Sequence, residues 1–259
     1  MTIIRRFSLA LEELVELNGE DVSPPARPMP AAPTLSGVLA EIGSLPREAL
    51  FLGIASDGLP VLLNLHDPNP GPLMVVGDSG TGKTSLLKMI AQAAQQTHHS
   101  VDVQFGVITN DPADWEDVPS TDHCVGVFSV HNDNTQEFIL SLARWAHANK
   151  SKQAFLLLID DLESLAKLDF ETLQNIRWLL LRGPSRRVWP ILTLNAERYG
   201  QVLSWIPMFR TRIFGRIGDD RVAEALGGDK VSALDQLEPG DQFSLRENGG
   251  WIRFWRPGF

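Results

Sequence analysis

The sequence predicts an α/β domain: a mostly parallel sheet with helices on both faces, preceded by an N-terminal extension and carrying two β-hairpins. Three observations carry that prediction. Short apolar runs such as Leu73–Val76 and Phe155–Ile159 have the length and continuity of strands buried on both faces. Segments with helical apolar spacing alternate with these runs, which is the pattern of a parallel sheet. A glycine-rich loop, Gly77-Asp78-Ser79-Gly80-Thr81-Gly82-Lys83-Thr84, joins one such run to a helix-forming segment.

Taken in order, the chain opens with Leu9, Leu11, Leu14, Val15 and Leu17 set among acids, an amphipathic pattern. Residues 22–33, VSPPARPMPAAP, form a stiff proline-rich linker that no helix can cross. Thr34 is a candidate N-cap for a short helix marked by Leu35, Val38, Leu39 and Ile42 and closed near Gly43. Leu50–Ala55 and Pro60–Leu65 flank Ser56-Asp57-Gly58 and read as a hairpin. Residues 1–48 therefore read as an extension, and 49–259 as the main domain.

From Leu73 onward strands and helices alternate. A helix is expected from about Gly82 to Gln96, then strands at Val101–Thr109 and Cys124–Val130. Thr135–Asn149 places Phe138, Leu142, Trp145 and Ala146 on one helical face. Phe155–Ile159 is a strand, Phe170–Leu181 a helix, and Val188–Leu194 and Arg212–Ile217 two more strands around it in the order. After a short helix at Asp219–Leu226, Gln242–Leu245 and Trp251–Trp255 flank Asn248-Gly249-Gly250 as a second hairpin.

Composition narrows the class. With 259 residues, 43% hydrophobic and 21% charged, the chain is an ordinary globular one, and no apolar run reaches the ~18–20 residues of a membrane span. Its N-terminus lacks the apolar core and small-residue cleavage site of a secretory leader. The single Cys124 is expected to be a packed thiol, and these features together point to the cytoplasm. The net charge of −9 argues against an autonomous nucleic-acid binder, although most basic residues of the last third cluster between Arg177 and Lys230. His98-His99, at an expected helix end, suits a dipole partner better than a metal pair. Trp251, Phe254, Trp255 and Phe259 are expected to pack a sheet or a subunit contact.

The glycine-rich loop matches G-x-x-x-x-G-K-[ST] in full, in the strand–loop–helix setting the motif requires. Its glycines let backbone N–H groups converge on phosphate oxygens, and the helix N-terminus adds partial positive charge. The motif thus predicts binding of ATP with Mg2+. Gly77, Asp78, Ser79, Gly80, Thr81, Gly82, Lys83, Thr84 and Ser85 form the cradle, with Lys83 on the β- and γ-phosphates and Thr84 on the metal. Phe155 to Asp161 supplies the partner strand, whose carboxyl edge puts Asp160 at the magnesium and Asp161 at the attacking water. Glu163 is a second candidate for the water. Asn195, at the end of the next strand, is either a γ-phosphate sensor or a turn cap. Arg182 and Arg186, on the segment before that strand, are the candidates for an arginine acting on a neighbouring subunit's nucleotide.

The order of these pieces resembles the FtsK/HerA superfamily of P-loop ATPases, and the FtsK-like domain above all. The resemblance rests on LGIASDGLPVLLNL, GPLMVVGDSGTGKT, LLLIDDLESL, VWPILTLNAE, MFRTRIFGRIGDDRVAEALGG and LEPGDQF, and spans about residues 50–259. It implies a RecA/FtsK-like fold, a homo-oligomer of the hexameric-ring type, and a double-stranded DNA track, with protein export as the work of some relatives. Two residues depart from the family pattern: Asp161 stands where glutamate is usual, and Asn195 where glutamine is usual. Hence a nucleotide-gated regulator with slow hydrolysis is the alternative reading, and an ATPase of a protein secretion machine is another. Residues 1–48 lie outside the resemblance and are the candidate docking segment for a protein partner.

Overall fold

A computed structural model describes residues 33–118, 121–227, 233–247 and 250–258. The amphipathic start, all but the last residue of the proline linker, the turn at Asn248-Gly249 and Phe259 lie outside the described residues. The elements are α1 (Leu35–Ile42), β1 (Ala49–Ala55), β2 (Pro60–Asn64), β3 (Leu73–Gly77), α2 (Lys83–Thr97), β4 (Val103–Thr109), β5 (Cys124–Ser129) and α3 (Asp133–Ala148). They continue with β6 (Ala154–Ile159), α4 (Phe170–Arg182), β7 (Val188–Asn195), β8 (Thr211–Phe214), α5 (Asp220–Gly227), β9 (Gln242–Glu247) and β10 (Gly250–Trp255).

All the strands join one ten-stranded sheet in the order β2-β1-β10-β9-β8-β3-β7-β6-β4-β5. From β8 to β5 every neighbouring pair is parallel. From β8 to β2 every pair is antiparallel. The two hairpins expected from sequence are therefore not appendages: β9 pairs with β8, and β10 pairs with β1.

Parallel strands covered on both faces must be apolar throughout, and β3 and β6 are buried at every position. Successive side chains alternate between two cores. Leu73, Val75, Leu156 and Leu158 face a core filled by Leu86, Leu87 and Ile90 of α2 and by Leu35 and Val38 of α1. Met74, Val76, Leu157 and Ile159 face the other, built with Phe138, Ile139 and Leu142 of α3 and Ile176, Leu179 and Leu180 of α4. Thr34 caps α1 by accepting from the Gly37 N–H at 3.3 Å, and Asp169 caps α4 through the Thr172 N–H at 3.0 Å. The aromatic tail packs the sheet: Phe254 is buried and stacks on Phe243, and Trp251 tilts against Phe214.

Some boundaries shift for physical reasons. Val101 is exposed and β4 starts only at Val103, because the backbone first turns at His99–Val103. β8 ends at Phe214 rather than Ile217; beyond it the Gly215 N–H donates to the Val76 carbonyl of β3, and the Arg216 carbonyl accepts from the glycine-rich loop. Cys124 is half-buried on the edge strand and packs against the first core, and burial raises its thiol pKa. His98 is no charged dipole partner: burial lowers its pKa, and its Nδ1 lies 2.9 Å from the Thr97 hydroxyl. Among the described residues no helix is long and apolar enough to cross a membrane.

Candidate nucleotide-binding site

The carboxyl ends of β3, β6 and β7 meet at one point of the sheet. Gly77, the last residue of β3, is in register with Asn195, the last of β7, and Ile159 of β6 pairs with Leu192 of β7. Three loops with different polar residues therefore converge there, as the C-terminal edge of a parallel sheet requires.

The first of them is the glycine-rich loop. Gly80 and Gly82 take φ of 74° and 84°, values that disfavour any residue with a Cβ. At Gly82 a Cβ would also sit 2.6 Å from the Gly240 carbonyl oxygen. The loop is braced from outside. Asp78 N–H donates to the Arg216 carbonyl at 2.9 Å, Gly218 N–H donates to Asp78 Oδ2 at 2.7 Å, and Gly240 N–H donates to the Thr81 carbonyl at 3.2 Å. Unlike α1, α3 and α4, α2 has no side-chain cap, and unlike α3 and α4 it has no acid in its first turn. Its orphan N–H groups and positive dipole end open onto the loop, an arrangement suited to an anion.

Lys83 folds back over this loop, donating from Nζ to the Gly77 carbonyl at 3.0 Å and the Asp78 carbonyl at 2.7 Å. Burial lowers its pKa, opposed by the charges of Asp161, Glu163, Asp160 and Asp78. The Thr84 hydroxyl donates to Asp160, 3.1 Å from Oδ1 and 2.9 Å from Oδ2. The Thr193 hydroxyl donates to Asp160 Oδ1 at 2.8 Å and accepts from the Asp161 N–H at 2.7 Å. Burial raises the Asp160 pKa; these hydroxyls oppose the rise, and the neighbouring Asp161 charge adds to it. A buried carboxylate beside a hydroxyl is a hard-oxygen pair of the kind Mg2+ takes together with phosphate and water. The residues present thus fit both groups implied by the motif.

Asp161 turns the chain out of β6 with a positive φ of 76°, unusual for a residue with a side chain. Its Oδ2 accepts from the Asn110 amide at 3.3 Å, and the Asn110 carbonyl oxygen accepts from Lys167 at 3.2 Å. Glu163 stands on the next turn with its side chain 5% exposed and no hydrogen-bond donor on either carboxylate oxygen. Burial raises its pKa, and the Asp161 charge adds to this; the backbone N–H groups of Glu163 and Asn195, which form no hydrogen bond of good geometry with it, and the Arg198 charge offset it only in part. Arg198 Nη1 lies 3.6 Å from Glu163 Oε1.

An open cleft of about 430 Å3 lies among Ser79–Ser85, Asp161, Glu163, Asn195 and Arg198, within the usual size range of small-molecule sites. Asn195 lines this cleft, and its Oδ1 caps the following turn by accepting from the Glu197 N–H at 3.3 Å. Arg182 and Arg186 are not part of it. They precede β7 at the opposite edge of the sheet, one eight-residue strand away, or roughly 23 Å at strand rise.

The profile of the AAA domain family matches residues 66–199, just over half of the chain. The chain belongs to the AAA domain family of P-loop ATPases. This AAA domain also superposes on larger solved ATPases. EccC of Thermomonospora curvata (ATPases 2 and 3, with a signal sequence peptide) matches at TM-score 0.70 and 17% identity, over 97% of this chain and 47% of that one. EssC (ATPases 2 and 3) of Geobacillus thermodenitrificans matches at 0.71 and 12%, over 89% and 48%. The pCW3 conjugation coupling protein TcpA, solved with ATPγS, matches at 0.61 and 16%, over 88% and 70%. The chain thus spans about half of the length of the EccC and EssC chains. At these identities the likeness is one of fold. No curated protein matches the sequence.

Two residues in or behind the cleft escape sequence reading. Thr193 is a lone polar residue in the buried run of β7, and only the register with β6 puts it against Asp160. Arg198 carries no sequence signal; it looks like any arginine on a surface turn.

Proposed function

We propose that this chain binds and hydrolyses Mg·ATP as a motor subunit of the FtsK/HerA type, working in a homo-oligomer. The observation that carries the reading is the closure of the Thr84 hydroxyl onto Asp160, with Thr193 holding the carboxylate from the far side. The backbone of residues 77–85 and the Lys83 ammonium bind the phosphates. Thr84 and Asp160 hold Mg2+, which neutralises charge on the phosphate chain. Asp161 orients and deprotonates the attacking water, with Glu163 as the alternate carboxylate. The water oxygen bonds the terminal phosphorus as the bridging P–O bond breaks, giving ADP and phosphate. Asn195 positions the water or the terminal phosphate through its amide. Arg182 or Arg186 serves a neighbouring subunit, since neither stands near its own cleft.

A double-stranded DNA track follows from the FtsK/HerA resemblance and from the coupling role in TcpA's description. Two observations favour a polypeptide track as a second reading. EccC is solved with a signal sequence peptide, and a net charge of −9 is a poor match to phosphate polymers.

An ATPase assay with and without double-stranded DNA, beside sedimentation with a non-hydrolysable ATP analogue, tests the proposal. Salt-sensitive stimulation by DNA supports the DNA track. Stimulation by unfolded polypeptide but not by DNA at any salt moves the assignment to the second reading. A monomer at all concentrations removes the role of Arg182 and Arg186. Turnover that Lys83→Ala leaves intact refutes the site.

A further inference from the structure

The cleft-lining residues include two cations, Lys83 and Arg198, and the two differ in how they are held. Lys83 is short-leashed, its ammonium bound to two carbonyls of its own loop. The Arg198 side chain is 57% exposed, and its ion pair with Glu163, at 3.6 Å, is longer than a hydrogen bond. A guanidinium so held keeps its forked donors available for a phosphate, which it engages in paired, charge-assisted bonds.

Its backbone, by contrast, is fixed. Arg198 lies on the 3₁₀ turn Ala196–Gln201, which starts directly after β7. Asn195 caps that turn and pairs in register with Gly77, so Arg198 is three residues from a strand end bonded to the start of the phosphate loop. Glu163 explains where the side chain rests. Its buried carboxylate lacks any hydrogen-bond donor, and such a group attracts the nearest mobile cation strongly. The Arg182 and Arg186 side chains, at the far edge, share none of this.

From this geometry we infer that Arg198 reads the terminal phosphate of the nucleotide bound to its own chain, moving from Glu163 to the phosphate when a triphosphate occupies the cleft. The inference rests on the nucleotide-binding reading of the cleft. It adds a discriminating side chain that acts within one chain, so it needs no neighbouring subunit.

Calorimetric titration of Mg·ADP and Mg·ATPγS into the wild type, Arg198→Ala and Arg198→Lys tests it without recourse to turnover. Arg198→Ala should weaken ATPγS by about 10- to 100-fold, the range of a charged hydrogen-bonding group, and leave ADP within about twofold. Arg198→Lys should restore part of the loss, as a point charge without the fork. Equal weakening of both nucleotides, or no weakening, overturns the role of Arg198. A wild type that binds neither nucleotide overturns the reading of the cleft itself, and the two failures are thereby separate.

Discussion

The two ends of β7 carry charged groups under opposite conditions. At its carboxyl end Asp160, Glu163 and Lys83 are all pushed by burial toward their neutral forms, and Asp161 sits in an uncommon backbone conformation. At its amino end two arginines already have partners. Arg187 donates to the Leu65 carbonyl at 3.0 Å and lies 2.8 Å from His66 Nδ1, and Arg47 pairs with Asp102 at 3.1 Å. One sheet thus holds an edge with paired arginines and an edge with unfavourable electrostatics. Desolvated carboxylates gathered round an uncapped helix N-terminus are relieved by a polyvalent anion with its cation, whereas Arg187 and Arg47 at the amino end already have partners. The difference marks where function lies more sharply than any single distance.

The largest effect expected at the strained end concerns turnover. Asp161 has the shorter arm and one oxygen committed to Asn110, while Glu163 has both oxygens without donors. Asp161→Asn should lower the hydrolysis rate by about 10²- to 10⁴-fold, the usual contribution of a general base, while Mg·ATPγS still binds. Single-turnover hydrolysis measures this. An unchanged rate in Asp161→Asn, with a collapse in Glu163→Gln, transfers the role to Glu163.

Next comes Asp160, where binding and stability should move in opposite directions. Folding raises its pKa, so between the ordinary aspartate range and the raised value the folded state holds more protons than the unfolded one. Stability in that window therefore falls as pH rises, and at neutral pH the ionised group is a burden on the empty protein. Asp160→Asn should raise the apo melting temperature at neutral pH by a few degrees, about 2–4 °C for each kcal/mol recovered. The same variant should lose the Mg2+-dependent part of nucleotide affinity. In the wild type that part should fade as pH is lowered, starting above the normal carboxylate range. Thermal melts with and without Mg·ATPγS across pH decide it; a lower apo melting temperature at neutral pH contradicts the assigned burden.

Much of this is legible in the sequence. The parallel strands announce themselves because burial on both faces forces continuous apolar runs, and the phosphate loop because its glycines answer to backbone geometry. What escaped depends on contacts between distant residues. Nothing local in Trp251–Trp255 reveals that β10 joins β1, and nothing in Thr193 reveals that it lies opposite Asp160. Arg182 and Arg186 stand near the Asn195 strand in sequence, but a strand of eight residues carries its two ends to opposite edges of the sheet, so neither lines the cleft of its own chain. Arg198, just past the other end, had the position without the signal.

The smallest effect belongs to the amino end and serves as its control. Arg187 takes a φ of 67° and anchors the start of β7 to the Leu65 carbonyl. Arg187→Ala keeps the unfavourable backbone while removing that bond and the contact with His66, so it should cost about 1–2 kcal/mol, near the net worth of one or two hydrogen bonds, or about 2–4 °C of melting temperature for each kcal/mol. Nucleotide affinity should not change, because the cleft lies a full strand length away and shares no partner with Arg187. Calorimetric binding of Mg·ATPγS beside a thermal melt measures both quantities. A loss of affinity larger than the loss of stability would mean that the two ends of β7 are coupled, and that the amino end is not the inert edge its paired arginines indicate.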